Sequence, residues 1–167
     1  MSIRSEQKEK TRQSIISAAL KLSEERGFPA LSLREVTREA EIAPATFYRH
    51  FKDMDELGLV LVDKVAQTLR QLMRKARQRI KANGSVIETS VITQLEFSQQ
   101  NPELFRLLTS GLTGGPLIFR EALQKEKQFF IDELHEDLSS DTRLGNIPLA
   151  AEVMVNQVLV ASIEAID

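Results

Sequence analysis

The sequence contains no cysteine among its 167 residues, which excludes disulfides, thiol catalysis and cysteine-based zinc sites. A reducing, cytoplasmic setting is the simple expectation. The opening stretch "MSIRSEQKEKTRQ" is charged and has no apolar centre, so it is not a signal peptide. No later apolar run approaches membrane-spanning length on this reading, so no membrane partner is expected. Sustained strand alternation, internal repeats and low-complexity segments are also lacking, which points to an all-α chain. Nor is there a catalytic constellation. His50 and His135 are far apart, and His135 among Glu133, Glu136 and Asp137 lacks metal-ligand spacing. "GLTGGP" at 111–116 lacks the Lys-Ser/Thr pair of a phosphate loop and reads as a bend. An enzyme, a metal and a cofactor are therefore not expected.

What the chain does have is a lopsided charge. Residues 1–81 hold 17 Lys and Arg against 11 Asp and Glu, or +6, whereas residues 82–167 hold 5 against 13, or −8. The two halves sum to the overall −2. The first half is thus suited to a polyanion and the second to something else.

Helical periodicity and end signals divide the chain. Ile15, Ala18, Ala19 and Leu22 form one buried stripe of a helix over 6–26, closed by Gly27. Ser32 with Glu35 opens a second helix, 33–40, and Pro44 opens a third, 44–50. Asp53 with Glu56 opens a long fourth helix whose apolar stripe runs through Leu57, Leu61, Val65, Leu69, Leu72, Met73, Ala76 and Ile80. Asn83-Gly84 interrupts the chain, Ser85 with Glu88 restarts it, and Asn101-Pro102 begins another helix. Residues 117–138 read as helix, "SSDTRLGN" as loop, and Pro148 begins a last apolar helix running to Asp167.

A helix of about eight residues, a turn at 41–43 and a second short helix have the proportions of a helix-turn-helix. Phe47 and Phe51, one turn apart, would pin the second helix inward. Ala45, Thr46, Tyr48, Arg49 and His50 are then left facing wholly or partly outward. Small Ala45 permits close approach in the major groove, Thr46 suits a base edge or phosphate, and Arg49 suits guanine or backbone. Tyr48 and His50 suit phosphates, as do Arg34, Lys52 and the basic flank Arg4, Lys8, Lys10 and Arg12. The plainer alternative is the wet face of a surface helix. One such unit reads too few base pairs, so a homodimer on palindromic double-stranded DNA is expected.

Through "IISAALKLSEERGFPALSLREVTREAEIAPATFYRHFKDMDEL", residues from about 10 to 60 resemble the DNA-binding domain of the TetR family of bacterial one-component regulators. Two positions depart from the family pattern. Glu41 stands where the family usually has Gly, and a left-handed conformation there costs roughly 1 kcal/mol. Met54 stands where a phosphate-facing Lys is common, which shifts weight to Lys52. The resemblance implies a helix-turn-helix domain, 1–52, joined by a long helix to a helical ligand-binding and dimerisation domain, 53–167. It implies pairing through the last two helices, and Asp167 falls where one more helix is expected.

A narrower resemblance is to the family's repressors of unsaturated fatty acid synthesis. "QKEKTR" at 7–12, "LSLREV" at 31–36, "FYRHF" at 47–51, "DELGL" at 55–59, "LRQLMRKARQRI" at 69–80 and "GSVI" at 84–87 carry it. It implies an acyl tunnel, with candidate lining residues Leu61, Val65, Leu69, Phe97, Phe105, Leu108, Phe119 and Phe130. For any one of these residues a core position is the plainer reading. No acid lies between Lys64 and Ile87, a span with seven cations counting Lys64. They form a solvated face, or some of them, notably Arg70, Arg74 and Arg77, receive the phosphates of long-chain acyl-CoA or the acidic surface of an acyl carrier protein thioester. Two rivals remain at this point: a regulator sensing another hydrophobic molecule such as an efflux substrate, and a DNA-bound division or nucleoid factor.

Overall fold

In the computed structural model the described residues are 3–79, 85–109, 117–139 and 145–166, and they form eight α-helices and one 3-10 turn. Ile80, Asn83-Gly84, "GLTGGP", most of "SSDTRLGN" and Asp167 lie outside them. The all-α expectation holds.

The first helix, α1 (Ile3–Arg26), buries Ile15, Ile16, Ala18, Ala19 and Leu22. It closes at Gly27, whose φ of 75° is the left-handed conformation that a Cβ disfavours. A 3-10 turn at Phe28–Ala30 leads to α2 (Leu33–Glu39). Ser32 caps α2 with a complete box: Glu35 N–H donates to Ser32 Oγ and Ser32 N–H donates to Glu35 Oε2. Three contacts, the Ser32 hydroxyl, the Ser32 N–H and the Arg26 guanidinium, hold the Glu35 carboxyl down to about 2. At the other end Glu41 N–H donates to Arg38 O and Ile42 N–H to Thr37 O, a Schellman closure that puts Glu41 at φ 54°. The left-handed glutamate expected from the sequence is present.

The third helix is shorter than its sequence suggests. Only Pro44–Phe47 is α-helical (α3); Arg49 and His50 N–H groups reach back three residues, to Thr46 and Phe47, in tighter 3-10 style. Phe51 N–H returns to Phe47 O, so both rings still turn inward.

The 25 residues of α4 (Met54–Gln78) span about 37 Å and connect the two halves. Asp53 caps Glu56 N–H, but the Glu56 carboxylate takes the N–H of Lys52 rather than that of Asp53. The stripe is Leu57, Gly58, Leu61, Val62, Val65, Ala66, Leu69 and Met73; Leu72, expected within it, is instead exposed. Around this stripe pack α5 (Val86–Gln100), α6 (Pro102–Thr109) and α7 (Leu117–Leu138), while α8 (Ile147–Glu164) closes the layer against α5, α6 and α7. Asn146 caps α8 through Leu149 N–H. Contrary to the sequence reading, the 18 residues of α8 are long and apolar enough to cross a membrane by length and composition. Ala151, Val155, Leu159 and Ser162 nevertheless bury one of its faces in the protein.

The two halves meet on Gly58. A Cβ there would come within 2.7 Å of both the Phe28 ring, from the turn after α1, and the Phe119 ring, from the start of α7. Those rings touch edge-on, with centroids 6.3 Å apart.

Candidate DNA interface and effector chamber

The helix-turn-helix is fixed from beneath by aromatic packing. Phe47 and Phe51 are fully buried with centroids 5.5 Å apart. The Arg12 guanidinium lies 4.3 Å from the Phe51 centroid and donates to His50 O. That leaves Arg34, Ala45, Tyr48, Arg49 and Lys52 exposed and Thr46 half-buried. Tyr48 stands edge-on against Phe47, which sets its ring direction while its residue stays 62% exposed. Lys52 is tied only loosely, 4.0 Å from Asp53. These residues offer a methyl, a hydroxyl, a phenol and three cations, a set that suits phosphates and base edges.

His50 differs from its neighbours. It is half-buried, and its Nδ1 is enclosed without a hydrogen-bond partner. Burial first, then Lys8, Arg12 and Arg49, push its pKa below the usual histidine range. In the free protein it is thus less suited to grip a phosphate than the sequence suggests.

The candidate effector residues do not share one site. Leu61, Leu69, Phe105 and Leu108 are at most 1% exposed and interlock in the core. Phe119 belongs to the Gly58 seam. Val65 and Phe97 line a half-open cleft of about 250 Å³ between α1, α4, α5 and α6, together with Leu20, Glu24, Lys64, Thr68, Asn101 and Leu104. At the far end of α4, an apolar space of about 30 Å³ lies among α4, α5, α7 and α8. None of the eight candidate lining residues named from the sequence borders it. Met73, Ile87, Val91, Leu134, Met154 and Val155 do, with Ser90 and Gln94. A drug-sized ligand needs some 300 Å³ or more, so side chains must move to admit a long chain.

Arg70, Arg74 and Arg77 are committed elsewhere. Arg70 pairs with Glu126, side chains 14% and 4% exposed, and its guanidinium lies 5.0 Å from the Phe129 centroid and 5.7 Å from that of Phe130. Glu133 accepts from Arg74 at 2.8 Å and from Arg77 at 3.5 Å, and Arg77 also pairs with Asp137. A phosphate arriving here would have to displace a carboxylate. The sequence reading treated the run as free cations because the acids stand 56 or more positions away on α7. It also passed over Ser90, Gln94 and Ser162, all buried. Their signal was available: Ser90 and Gln94 stand four apart on the inward stripe of α5.

Residues 15–59 match the family described as bacterial regulatory proteins, tetR family. Over nearly the whole chain the fold is similar to that of solved TetR-like regulators. A transcriptional regulator of the TetR family from Agrobacterium tumefaciens is similar at 17% identity, 95% of this chain, 88% of that one and a TM-score of 0.72. FadR from Bacillus subtilis in complex with stearoyl-CoA is similar at 16% identity, 91% and 85% coverage and a TM-score of 0.67. AibR in complex with isovaleryl coenzyme A and operator DNA gives 16% identity, 89% and 84% coverage and a TM-score of 0.64.

Proposed function

We infer that this chain is a TetR-type transcriptional regulator that binds a palindromic operator as a homodimer in the cytoplasm and responds to a long-chain acyl thioester. Residues 1–52 form its DNA-binding domain and 53–167 its sensing and pairing domain. The finer reading follows the sequence resemblance to FabR, the repressor of unsaturated fatty acid synthesis. Two neighbours whose structures hold acyl-CoA molecules support the effector class.

The observation that carries the DNA reading is the exposure of Arg34, Ala45, Tyr48, Arg49 and Lys52, with Thr46 half-buried, around a fully buried Phe47–Phe51 pair. Pairing is supported by Leu149, Val153 and Val160, which form an exposed apolar stripe on α8 beside an α7–α8 cleft containing Ile131. Selection of bound duplexes from a random library tests the first point. Tyr48→Ala and Lys52→Ala should weaken binding to every sequence, and Thr46 or Arg49 changes should alter the selected sequence. Retention of affinity and sequence by all four variants would end this reading.

The filled core together with the exposed α8 stripe favours a second reading, a DNA-bound factor whose C-terminal half holds a protein partner. Titration of operator binding with palmitoyl-CoA separates the two. A regulator changes its DNA affinity; the architectural factor does not.

A further inference from the structure

Within the apolar space between α4, α5, α7 and α8, two polar groups are left open. Ser162 Oγ donates to Val158 O at 2.7 Å, which uses its only proton. The contact of 3.3 Å between Gln94 and Ser162 Oγ must therefore place the Gln94 amide nitrogen there as donor. That orients the Gln94 carbonyl oxygen away from Ser162, and it accepts from no group among the described residues, although Gln94 is only 4% exposed and lines the space. One turn earlier, Ser90 accepts from Arg77 at 3.5 Å, while its own hydroxyl proton has no acceptor among the described residues. An acceptor and a donor thus stand on residues four apart on one helix face, whose Cβ atoms lie about 5–6 Å from each other. Every other lining side chain is aliphatic or a methionine.

We propose that Gln94 and Ser90 are the specificity-determining pair of the effector chamber and read the polar arm of an acyl thioester. The proposal rests on the acyl-thioester reading above and deepens it. In a thioester of a pantetheine-type arm, sulfur and two methylenes separate the thioester carbonyl from an amide N–H. The Ser90 hydroxyl donates to the first and the Gln94 carbonyl accepts from the second. The acyl chain continues among Met73, Met154 and their neighbours, whose flexible thioethers can shift to enlarge the space. A free fatty acid is disfavoured at Gln94, because its ionised carboxylate brings acceptors alone against the Gln94 carbonyl. The pair thereby separates carrier-bound from free acyl chains without using the guanidiniums that α7 already holds.

The test uses the full chain and three probes: palmitoyl-N-acetylcysteamine thioester, which has the amide; S-methyl thiopalmitate, which lacks it; and palmitate. Binding is followed by calorimetry for the wild type, Gln94→Met, which keeps the volume, and Ser90→Ala, which removes one hydroxyl. The wild type should bind the amide-bearing thioester about fivefold tighter than the methyl thioester, the usual value of one buried hydrogen bond. Gln94→Met should bring that ratio close to one, and Ser90→Ala should weaken both thioesters relative to palmitate. Thioesters that bind with ratios unmoved by either substitution would overturn the pair while leaving the effector reading intact. Failure of all three probes to bind the wild type would remove the effector reading and the pair with it.

Discussion

The two ends of α4 are held to the same neighbour, α7, in opposite ways. Near its start Gly58 gives way to the Phe28 and Phe119 rings, and the contact is one of shape, with no charge in it. Three turns and more further on, Arg70, Arg74 and Arg77 meet Glu126, Glu133 and Asp137, and the contact is one of charge. Shape packing is dry and indifferent to salt. Buried ion pairs are costly to form and far more costly to break by halves. One helix therefore has a seam near the helix-turn-helix that tolerates no added atom, and a far end that tolerates no missing partner.

The largest test of that contrast is Arg70→Ala. It leaves Glu126 buried and unpaired and should cost about 3–5 kcal/mol in urea unfolding, whereas Arg70→Met with Glu126→Leu should recover most of it. A double substitution no better than the single one would mean that the packing of Phe129 and Phe130 on Arg70, rather than charge, holds this end. Next comes Gly58→Ala, whose methyl meets two rings at 2.7 Å and should cost about 1–3 kcal/mol. This loss should not change with added salt; a salt-dependent loss would blur the distinction between the ends.

Smaller effects sharpen the contrast among the N-terminal helices. Ser32→Ala removes the cap of α2 and should cost about 1 kcal/mol. Because the Glu35 carboxyl is held near 2, its contribution is present above the ordinary carboxylate pKa and fades as pH falls towards 2. Glu35→Gln should flatten acid unfolding in that window, read by circular dichroism. His50 gives a smaller case of the same sign, at higher pH. Its folded pKa is depressed, so below the usual histidine value the unfolded chain binds a proton more readily and stability falls as pH drops. In His50→Asn that slope should be shallower, and an unchanged slope would assign it to other groups.

How much of this was legible in the sequence follows from distance along the chain. Ser32 with Glu35, Gly27, Glu41 and the Phe47–Phe51 pair act over a few residues, and the structure has each of them as the sequence suggests. Tertiary packing shortened α3 to four residues, because the chain after Phe47 tightens to bring Phe51 inward. The partners of Arg70 and Arg74 lie 56 and 59 residues away, so a run of cations without nearby acids looked free. Leu72 obeys helical spacing but faces out, since periodicity fixes a face and not what covers it. Gln94 was missed for the opposite reason: it is polar on an inward stripe, and apolar patterning has no place for it.

The acids of α7 have a consequence for encounter with DNA. Unscreened, α4 would present a second cationic ridge, and a duplex could be captured along the side of the molecule in an unproductive pose. With three arginines neutralised in place, the surplus positive charge is concentrated towards the helix-turn-helix, while the C-terminal half stays net negative. The molecule is then an electric dipole as it diffuses: the helix-turn-helix end is drawn to a polyanion such as DNA and the C-terminal end is repelled, so collisions are oriented before contact.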